Sequence, residues 1–387
     1  MKIFILTLII FCLELTESFA QYDSIFYASR QRTYLLHLPP SYVAGTPMPL
    51  VIAMHGGGGW GVQLQNQSQL SVKADAAGFI VVYPEGVKTP VTGIRTWNAG
   101  GCCAYAMNQN IDDVGFIAAL IDKLNANYSI DTNRIYATGM SNGAFLAYTL
   151  ACELSNKIAA IAPVAGSMNV SSCMPTRGVP VIHFHSKLDT NVPYFGGVGS
   201  GASGHYNPPI DSVLNVWSGY SSCAVQNNTV YSGLDYTYIR WSDCDFGNEI
   251  NLYLTEDGGH SWAGGQQTVL GDPVSTAINA NDLMWTFFQQ HTLSSITTGM
   301  ESFDNSNKGY EIFPNPFSWQ TTIQLNDNVI KGTLTVYNIV GQKVRTIDDI
   351  TGQTIMLDRQ NLRNGVYFIR LIAESKIIIS DKVIIND

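Results

Sequence analysis

Apolar runs of strand length alternate with helical patterns over residues 32–270, and this alternation limits the fold more than any other feature of the sequence. A chain built in this way buries its strands in a mainly parallel sheet with helices on both faces. One buried helix face is visible in the spacing of Ile117, Leu120, Ile121 and Leu124. We therefore predict an α/β domain whose clearest strands lie at 50–54, 79–83, 135–138, 159–164, 179–185 and 250–255.

The two ends of the chain differ from this α/β domain, which is predicted to occupy residues 21–291. Residues 1–20 combine an early lysine, an apolar core and a small-residue cleavage site, so we predict a signal peptide that is removed before Gln21. No other apolar run approaches the roughly 20 residues that span a bilayer, and no membrane span is predicted. Residues 292–311, rich in Ser, Thr, Asn and Gly, are predicted to be a linker. Residues 312–387 alternate short apolar runs with Gly and Asn turns, which predicts a small all-β sandwich.

Charge and cysteine content narrow the class of protein. The net charge is −9 and no Lys/Arg cluster occurs, so nucleic-acid partners are not expected.

An even number of cysteines in an exported chain favours disulfides, and Cys223 with Cys244 is the predicted pair. Cys102 and Cys103 are adjacent and are not expected to bridge each other, so each reaches a distant partner or one stays free. Zinc-type spacing is missing, and no metal is predicted. The disulfide candidates are Cys102, Cys103, Cys152, Cys173, Cys223 and Cys244.

A possible nucleophile lies in the segment 139–143, which reads Gly-Met-Ser-Asn-Gly and fits the pattern G-x-S-x-G. The segment follows a predicted strand and precedes a predicted helix, the context in which this pattern places a serine on a sharp, exposed turn. Its glycines leave room for that turn beside the neighbouring strands. We therefore predict that Ser141 is a nucleophile, although the same pattern without this context is often an ordinary helix start.

A serine nucleophile needs a base and an acid. In a fold of this class both follow the serine along the chain, the acid first and the histidine second. His260 follows the last predicted strand, in a loop that reads Gly-Gly-His-Ser-Trp, and is the predicted base. Asp189 follows a strand beyond the nucleophile's helix and is the predicted acid, with Asp211 as the alternative. His205 and His291 lack such placement, and we interpret them as polar surface residues.

A glycine-rich loop at residues 55–60 follows the first predicted buried strand. Such a loop lets backbone N–H groups approach a developing oxyanion, so we predict Gly57 as one donor and the N–H of Asn142 as the second. A phosphate-binding loop is the alternative, but its Gly-Lys-Ser/Thr ending is missing. His183 and His185 share one strand face without a third ligand at useful spacing, so we interpret them as packed or hydrogen-bonded rather than metal-binding.

Three segments carry a family resemblance: Trp-Asn-Ala-Gly-Gly-Cys-Cys at 97–103, Asp-Asp-Val-Gly-Phe at 112–116, and the 139–143 segment. Together they resemble the secreted esterases of carbohydrate esterase family 1, the feruloyl esterase and polyhydroxybutyrate-depolymerase-like group. The resemblance covers nearly the whole first domain. It implies an α/β-hydrolase fold with Ser141 as nucleophile, Asp189 as acid and His260 as base. Ser186 and Ala263 stand where the family often has Gly and Pro, and neither departure removes a reacting group.

The tail carries a second resemblance, on Pro-Asn-Pro-Phe at 314–317, Val-Tyr-Asn at 336–338, Gly-Gln-Lys-Val at 341–344 and Leu-Arg-Asn-Gly-Val-Tyr-Phe at 362–368. As a set these segments resemble the type A sorting domain of the bacterial type IX secretion system. The resemblance implies that this machinery is a partner and that the protein reaches the exterior or the cell surface. A carbohydrate-binding or adhesive β-module is the alternative.

The residues and the resemblances together predict a secreted carboxylic ester hydrolase that needs no cofactor. Feruloyl esters of plant cell-wall polysaccharide are the favoured substrate, because a planar phenolic acid stacks on aromatic rings and Trp60, Trp97 and Trp262 adjoin the catalytic segments. Poly(3-hydroxybutyrate) or its oligomers and acetyl xylan are alternative substrates. A serine peptidase is the rival enzyme, and a surface adhesion protein is the non-enzymatic alternative.

Overall fold

The computed structural model describes residues 19–170, 173–200, 204–269, 271–293, 309–338, 343–373 and 376–387. The chain divides into two compact units between residues 296 and 297, and each unit is described by itself. Apart from Phe19 and Ala20, the predicted signal peptide lies outside the described residues, as does most of the predicted linker. None of the described helices has the length and hydropathy that a membrane crossing requires.

The strands of the first unit, in chain order, are β1 (Phe19–Tyr27), β2 (Arg30–Leu38), β3 (Met48–Met54), β4 (Ile80–Pro84), β5 (Val87–Lys88), β6 (Arg95–Thr96), β7 (Ile130–Met140), β8 (Ala160–Val164), β9 (Val181–Ser186), β10 (Gly197–Val198), β11 (Tyr206–Asn207), β12 (Val225–Ser232), β13 (Tyr236–Ser242) and β14 (Ile250–Thr255). Its helices are α1 (Gly61–Ser68), α2 (Leu70–Ala77), α3 (Ala104–Asn108), α4 (Asp113–Asn127), α5 (Asn142–Glu153), α6 (Ile210–Tyr220) and α7 (Ala280–Phe288).

Ten of these strands form one sheet in the order β1-β2-β4-β3-β7-β8-β9-β14-β13-β12. The six central strands, from β4 to β14 in this order, run parallel, and the two strands at each edge are antiparallel to their neighbours. Every strand predicted from the sequence is present, so the prediction of an α/β domain with a mostly parallel sheet is confirmed. Because the central strands are parallel, their carboxyl ends lie along one edge of the sheet, and the loops that follow β3, β7, β9 and β14 meet there.

The packing of β3 explains why its sequence is apolar throughout. All seven of its residues are buried, and alternate side chains enter different cores because side chains of a strand point to opposite faces. Leu50 and Ile52 join an apolar cluster that includes side chains of α4 and α5. Val51 and Ala53 join a second cluster that includes side chains of α1, α2 and α7. Both faces of the sheet are therefore covered by helices, and a site that binds a ligand has to lie in the loops at the strand ends.

The described residues of the second unit form five strands: β15 (Tyr310–Phe313), β16 (Gln320–Tyr337), β17 (Lys343–Asp358), β18 (Gly365–Ala373) and β19 (Lys376–Ile385). All of them pair antiparallel in a single sheet, in which the long β16 bonds β15, β17 and β18. Alternating residues such as Leu334, Val336, Ile369 and Leu371 form its apolar core. The prediction of a small all-β sandwich at the end of the chain is confirmed as an all-β domain, whose described strands form one antiparallel sheet.

The six cysteines among the described residues form three pairs. Cys223 bonds Cys244, as predicted, and Cys152 bonds Cys173. The prediction for Cys102 and Cys103 was wrong, because these neighbours bond each other. With the other four cysteines paired among themselves, neither of the two has a distant partner to reach.

Candidate active site

Ser141 lies on the turn between the end of β7 and the start of α5. Its backbone has φ 55° and ψ −122°, a conformation that residues with a side chain rarely adopt and that costs about 1–3 kcal/mol. The turn fits against β3 because position 143 is glycine: a Cβ there would collide with the backbone carbonyl of Met54. Strained backbone of this kind concentrates at active sites. The turn presents the Ser141 hydroxyl at the edge of the sheet where the parallel strands end.

Asp189 and His260 are in direct contact at the same edge. His260 Nδ1 lies 2.8 Å from Asp189 Oδ2, and the other carboxylate oxygen accepts the backbone N–H groups of Asn191 at 2.9 Å and Val192 at 2.8 Å. Asp189 is buried, and burial alone would raise its pKa. The hydrogen bond and charge of His260, the nearby His185 and the Val192 amide outweigh burial and lower the pKa of Asp189. The ionised carboxylate fixes the proton of His260 on Nδ1 and leaves Nε2 able to accept one.

The histidine loop is held by a residue that sequence reasoning missed. The backbone N–H of His260 donates to Asp272 Oδ2 at 2.7 Å, and Ser261 Oγ donates to the carbonyl of Pro273 at 2.9 Å. In the sequence Asp272 stands in a Gly-Asp-Pro segment, which signals only a turn. The alternative acid, Asp211, accepts the hydroxyl of Tyr194 at 2.7 Å and belongs to α6. Asp189, and not Asp211, is therefore the carboxylate that His260 contacts.

The glycine loop packs directly against the nucleophile turn. A Cβ at Gly56 would lie 3.4 Å from Ser141 Cβ, and one at Gly57 would lie 3.9 Å from Asn142 Cβ. The amides of Gly58 and Gly59 already donate to the carbonyls of Arg95 and Gly56. Gly57 therefore stays the candidate donor of this loop, and the N–H of Asn142, at the first position of α5, stays the candidate from the nucleophile side.

Trp97 does not have the substrate-stacking role expected for it, because its ring is fully buried. The side chain of Asn142 bonds both the N–H of Trp97, at 2.7 Å, and its carbonyl, at 3.1 Å. The indole Nε1–H of Trp97 donates in turn to the carbonyl of His55 at 2.9 Å. His55 is also buried, and burial lowers its pKa to about 4. Trp97 therefore links the nucleophile turn to the start of the glycine loop.

Trp262 does not have the expected substrate-stacking role either, whereas the ring of Trp60 is accessible. Trp262 is fully buried, and its Nε1–H donates at 3.0 Å to Asn281 Oδ1 on α7, so it anchors the histidine loop and cannot stack on a ligand. Trp60, which precedes α1 after the glycine loop, is 46% exposed. Phe195, six residues after Asp189, is 75% exposed. Of the three predicted rings, only Trp60 is accessible.

The remaining histidines lie inside the domain. His183 and His185 are hydrogen-bonded strand residues, as we interpreted them. His291 is 7% exposed and the ring nitrogens of His205 are buried, so the interpretation of these two as polar surface residues was wrong. Donor atoms of Cys102, Cys103 and His205 lie within 4.8 Å of one another, the spacing of a possible metal site. Because the two sulfurs are bonded to each other, no thiolate is available there to bind a metal.

A parallel sheet that ends in a strained serine turn on one strand and an Asp–His pair on later strands is the architecture of the α/β-hydrolases. Within this class, residues 32–192 match the family described as esterase PHB depolymerase. Residues 311–386 match the secretion system C-terminal sorting domain. Both resemblances stated from the sequence are confirmed: along the chain, the match to the esterase family is followed by the match to the sorting domain.

Three curated relatives are similar to the first unit. A bifunctional acetylxylan esterase/xylanase of Neocallimastix patriciarum is 28% identical over 60% of this chain and 33% of its own length. Feruloyl esterase B of Piromyces equi is 27% identical over 61% of this chain and 44% of its own. Poly(3-hydroxyalkanoate) depolymerase C of Paucimonas lemoignei is 28% identical over 52% of this chain and 49% of its own. The chain thus spans between a third and a half of the length of these relatives.

Proposed function

We propose that the first unit hydrolyses carboxylic esters, with Ser141 as nucleophile, His260 as base and Asp189 as acid. The observation that carries the proposal is the strained conformation of Ser141 at the sheet edge where the Asp189–His260 pair, 2.8 Å apart, also lies. A strained serine turn and a histidine oriented by a buried carboxylate are the two parts that serine catalysis requires. The related esterases named above support the same reaction class.

The proposed reaction proceeds in two halves, in which this chain's residues supply the first nucleophile, the base, the acid and the oxyanion donors. Ser141 Oγ attacks the ester carbonyl while His260 Nε2 takes its proton, and the resulting oxyanion accepts the N–H groups of Gly57 and Asn142. The C–O bond to the alcohol then breaks, and His260 returns the proton to the leaving alcohol. A water molecule, deprotonated by His260, then attacks the acyl-enzyme. The bond to Ser141 Oγ breaks, His260 returns the proton to that oxygen, and the acid is released.

We propose hydroxycinnamoyl esters of plant polysaccharide as the substrate class. Trp60 and Phe195 expose aromatic rings on loops that belong to the candidate site, and a planar phenolic acid gains about 0.5–1.5 kcal/mol from each stacked ring beyond area burial. Acetyl and hydroxybutyryl groups have no plane to stack. Feruloyl esterase B is among the related proteins, and so are an acetylxylan esterase and a polyester depolymerase, which define the two competing substrates.

We also propose that the protein is exported through its predicted signal peptide and delivered outward by type IX secretion machinery that reads the second unit. The match of residues 311–386 to a secretion system sorting domain supports this. An extracellular or cell-surface location agrees with a polymeric substrate, which is too large to enter a cell.

The test of the reaction is covalent labelling of the mature protein, residues 21–387, with a fluorophosphonate, followed by peptide mass spectrometry. We expect one adduct, on Ser141, and none in the S141A variant. The substrate test compares kcat/KM for methyl ferulate, acetylated xylan fragments and a hydroxybutyrate trimer. Preference for the acetyl ester or the trimer would replace the proposed substrate, whereas an unlabelled Ser141 would refute the proposed reaction.

A further inference from the structure

Buried polar side chains form a hydrogen-bonded run that ends at the Asp189 loop. Tyr148, on α5, has its hydroxyl 2.8 Å from His183 Nδ1. His183 Nε2 lies 3.0 Å from His185 Nδ1, and His185 Nε2 lies 2.8 Å from the carbonyl oxygen of Val192. All three side chains are at most 3% exposed. The reaction proposed above uses none of them as a reacting group, and burying three polar side chains costs free energy that their hydrogen bonds must offset.

The direction of every hydrogen bond in this run follows from its last member. A carbonyl oxygen only accepts, so His185 must carry its proton on Nε2. In a neutral imidazole the other nitrogen then accepts, so His183 must donate from its own Nε2. His183 Nδ1 is left as an acceptor, and the Tyr148 hydroxyl is its donor. One backbone carbonyl therefore fixes the tautomers of two histidines and the orientation of a tyrosine hydroxyl.

The charge state of the two histidines is consistent with this direction. Burial lowers the pKa of His183 well below its ordinary value, and the neighbouring His185 lowers it further. Burial also lowers the pKa of His185, against the opposing effect of Asp189. Besides Asp189, the titratable groups that face His185 are His183, His260 and the ring of Tyr194, 6.2 Å away. Both imidazoles are therefore neutral near pH 7, as the hydrogen-bond directions require.

The run reaches the candidate acid in two ways. Val192, whose carbonyl accepts from His185, donates its N–H to Asp189 Oδ1 at 2.8 Å. His185 Nε2 itself lies 3.6 Å from Asp189 Oδ2, too far for a hydrogen bond but close enough for its N–H dipole to favour the carboxylate. Asp189 Oδ2 is the atom that His260 contacts.

We propose that Tyr148, His183 and His185 are positioning residues: a one-directional hydrogen-bond run that holds the Val192 and Asp189 backbone so that Asp189 orients His260. The inference rests on the proposed ester hydrolysis, because positioning has a meaning only if Asp189 serves His260. Without the Tyr148 hydroxyl, His183 keeps the tautomer that the Val192 carbonyl sets, but its Nδ1 becomes a buried acceptor without a donor. Its other tautomer would set two lone pairs against each other at the 3.0 Å contact with His185 and release His185 from its place.

The first measurement reads the tautomers directly and needs no substrate. Long-range ¹H–¹⁵N spectra of the mature protein with ¹⁵N-labelled histidine distinguish protonated from unprotonated ring nitrogens. We expect protonated Nε2 and unprotonated Nδ1 for both His183 and His185 at pH 7. We expect Tyr148→Phe to leave both tautomers unchanged and to shift the ¹⁵N resonance of His183 Nδ1, because that nitrogen loses its hydrogen-bond donor. Tyr136→Phe is the matched control, since it deletes another buried hydroxyl of the same domain, one that donates to the carbonyl of His291 at 2.9 Å.

The second measurement is the pH profile of kcat/KM with methyl ferulate. We expect about a tenfold loss of kcat/KM for Tyr148→Phe and a larger loss for His185→Leu. His185→Gln should recover part of the activity, because the glutamine amide can still donate to Val192. A misplaced Asp189 stabilises the His260 imidazolium less, so the acid limb should move to lower pH in Tyr148→Phe and stay in place in Tyr136→Phe.

The outcomes separate this inference from the proposed function. Other tautomers in the wild-type protein, or an acid limb that stays unchanged in Tyr148→Phe and His185→Leu alike, would overturn the positioning role. If His185→Leu fails to fold, Tyr148→Phe carries the decision alone. Turnover that survives in Ser141→Ala would instead refute the proposed reaction, and the tautomer spectra would still test the hydrogen-bond run.

Discussion

Replacing Asp189 by Asn tests the proposed acid with a change of one atom. Asp189 Oδ1 accepts two backbone N–H groups, from Asn191 and Val192, so the variant amide must keep its oxygen at that position. Its NH₂ group then faces His260 Nδ1, which lies 2.8 Å from the other carboxylate oxygen. The opposite orientation would set NH₂ against two buried donors, at about 1–3 kcal/mol for each group left without a partner.

The forced orientation has a definite chemical result. An NH₂ group donates to His260 Nδ1, which places the histidine proton on Nε2, the atom that has to accept the proton of Ser141. The expected loss of kcat is three to four orders of magnitude, or about 4–5.5 kcal/mol of transition-state stabilisation. The asparagine amide has the same shape as the aspartate carboxylate and places no new charge in the buried site, so the folded structure should persist.

The assay is steady-state hydrolysis of methyl ferulate by the mature protein, with thermal unfolding as the check of folding. Asp211→Asn is the matched control, because Asp211 accepts a tyrosine hydroxyl in the same unit but does not contact His260. It should keep kcat within a few-fold of wild type. If Asp189→Asn kept kcat within tenfold, or Asp211→Asn lost more, the assignment of the acid and the argument from amide orientation would both be wrong.

Further predictions follow from other parts of the structure. Ser141→Ala should leave the circular dichroism spectrum unchanged and reduce turnover by several orders of magnitude; residual turnover near wild type would exclude this nucleophile. Trp60→Ala should lower kcat/KM for methyl ferulate about two- to tenfold and spare an acetyl ester, whereas loss on both esters would argue against stacking. His55 stays neutral when folded because burial lowers its pKa to about 4, so the unfolded chain takes up its proton first as the pH falls. Its contribution to stability is complete above about pH 6.5 and disappears towards pH 4, a loss of about 3 kcal/mol that denaturant titrations at pH 7 and pH 4 should detect and that His55→Gln should remove. Deletion of residues 312–387 should leave turnover intact but keep the protein in the periplasm of its host, and unchanged delivery to the surface would refute the sorting role.

The sequence predicts those parts of the candidate site that depend on chain order. Ser141 and His260 were identifiable because one follows a strand and precedes a helix and the other follows the last parallel strand. The parallel sheet then brings the ends of these strands to one edge. Asp189 was preferred to Asp211 on the same ground, and the contact with His260 agrees with that preference.

The expectations that failed depended on the direction in which a side chain points and on the residue to which it is bonded. Trp97 and Trp262 adjoin the site in sequence, but both rings point into the domain and their indole N–H groups meet acceptors there. Cys102 and Cys103 bond each other, and the other four cysteines among the described residues are paired as well. Asp272 could not be recognised, because a carboxylate that accepts from the N–H of His260 looks, in sequence, like any residue of a turn.

The double hydrogen bond between Asn142 and the Trp97 backbone has a consequence for engineering this domain. Asn142 offers its N–H as one candidate oxyanion donor, and Gly57, two residues after His55, offers the other. Hydrogen bonds connect the two donors. The Asn142 side chain bonds the backbone of Trp97, and the Trp97 indole N–H donates to the carbonyl of His55. A glycine loop grafted from another enzyme would therefore lose its register with Ser141 unless the tryptophan and asparagine partners were transplanted with it. The two halves of the candidate oxyanion site therefore form one exchangeable unit.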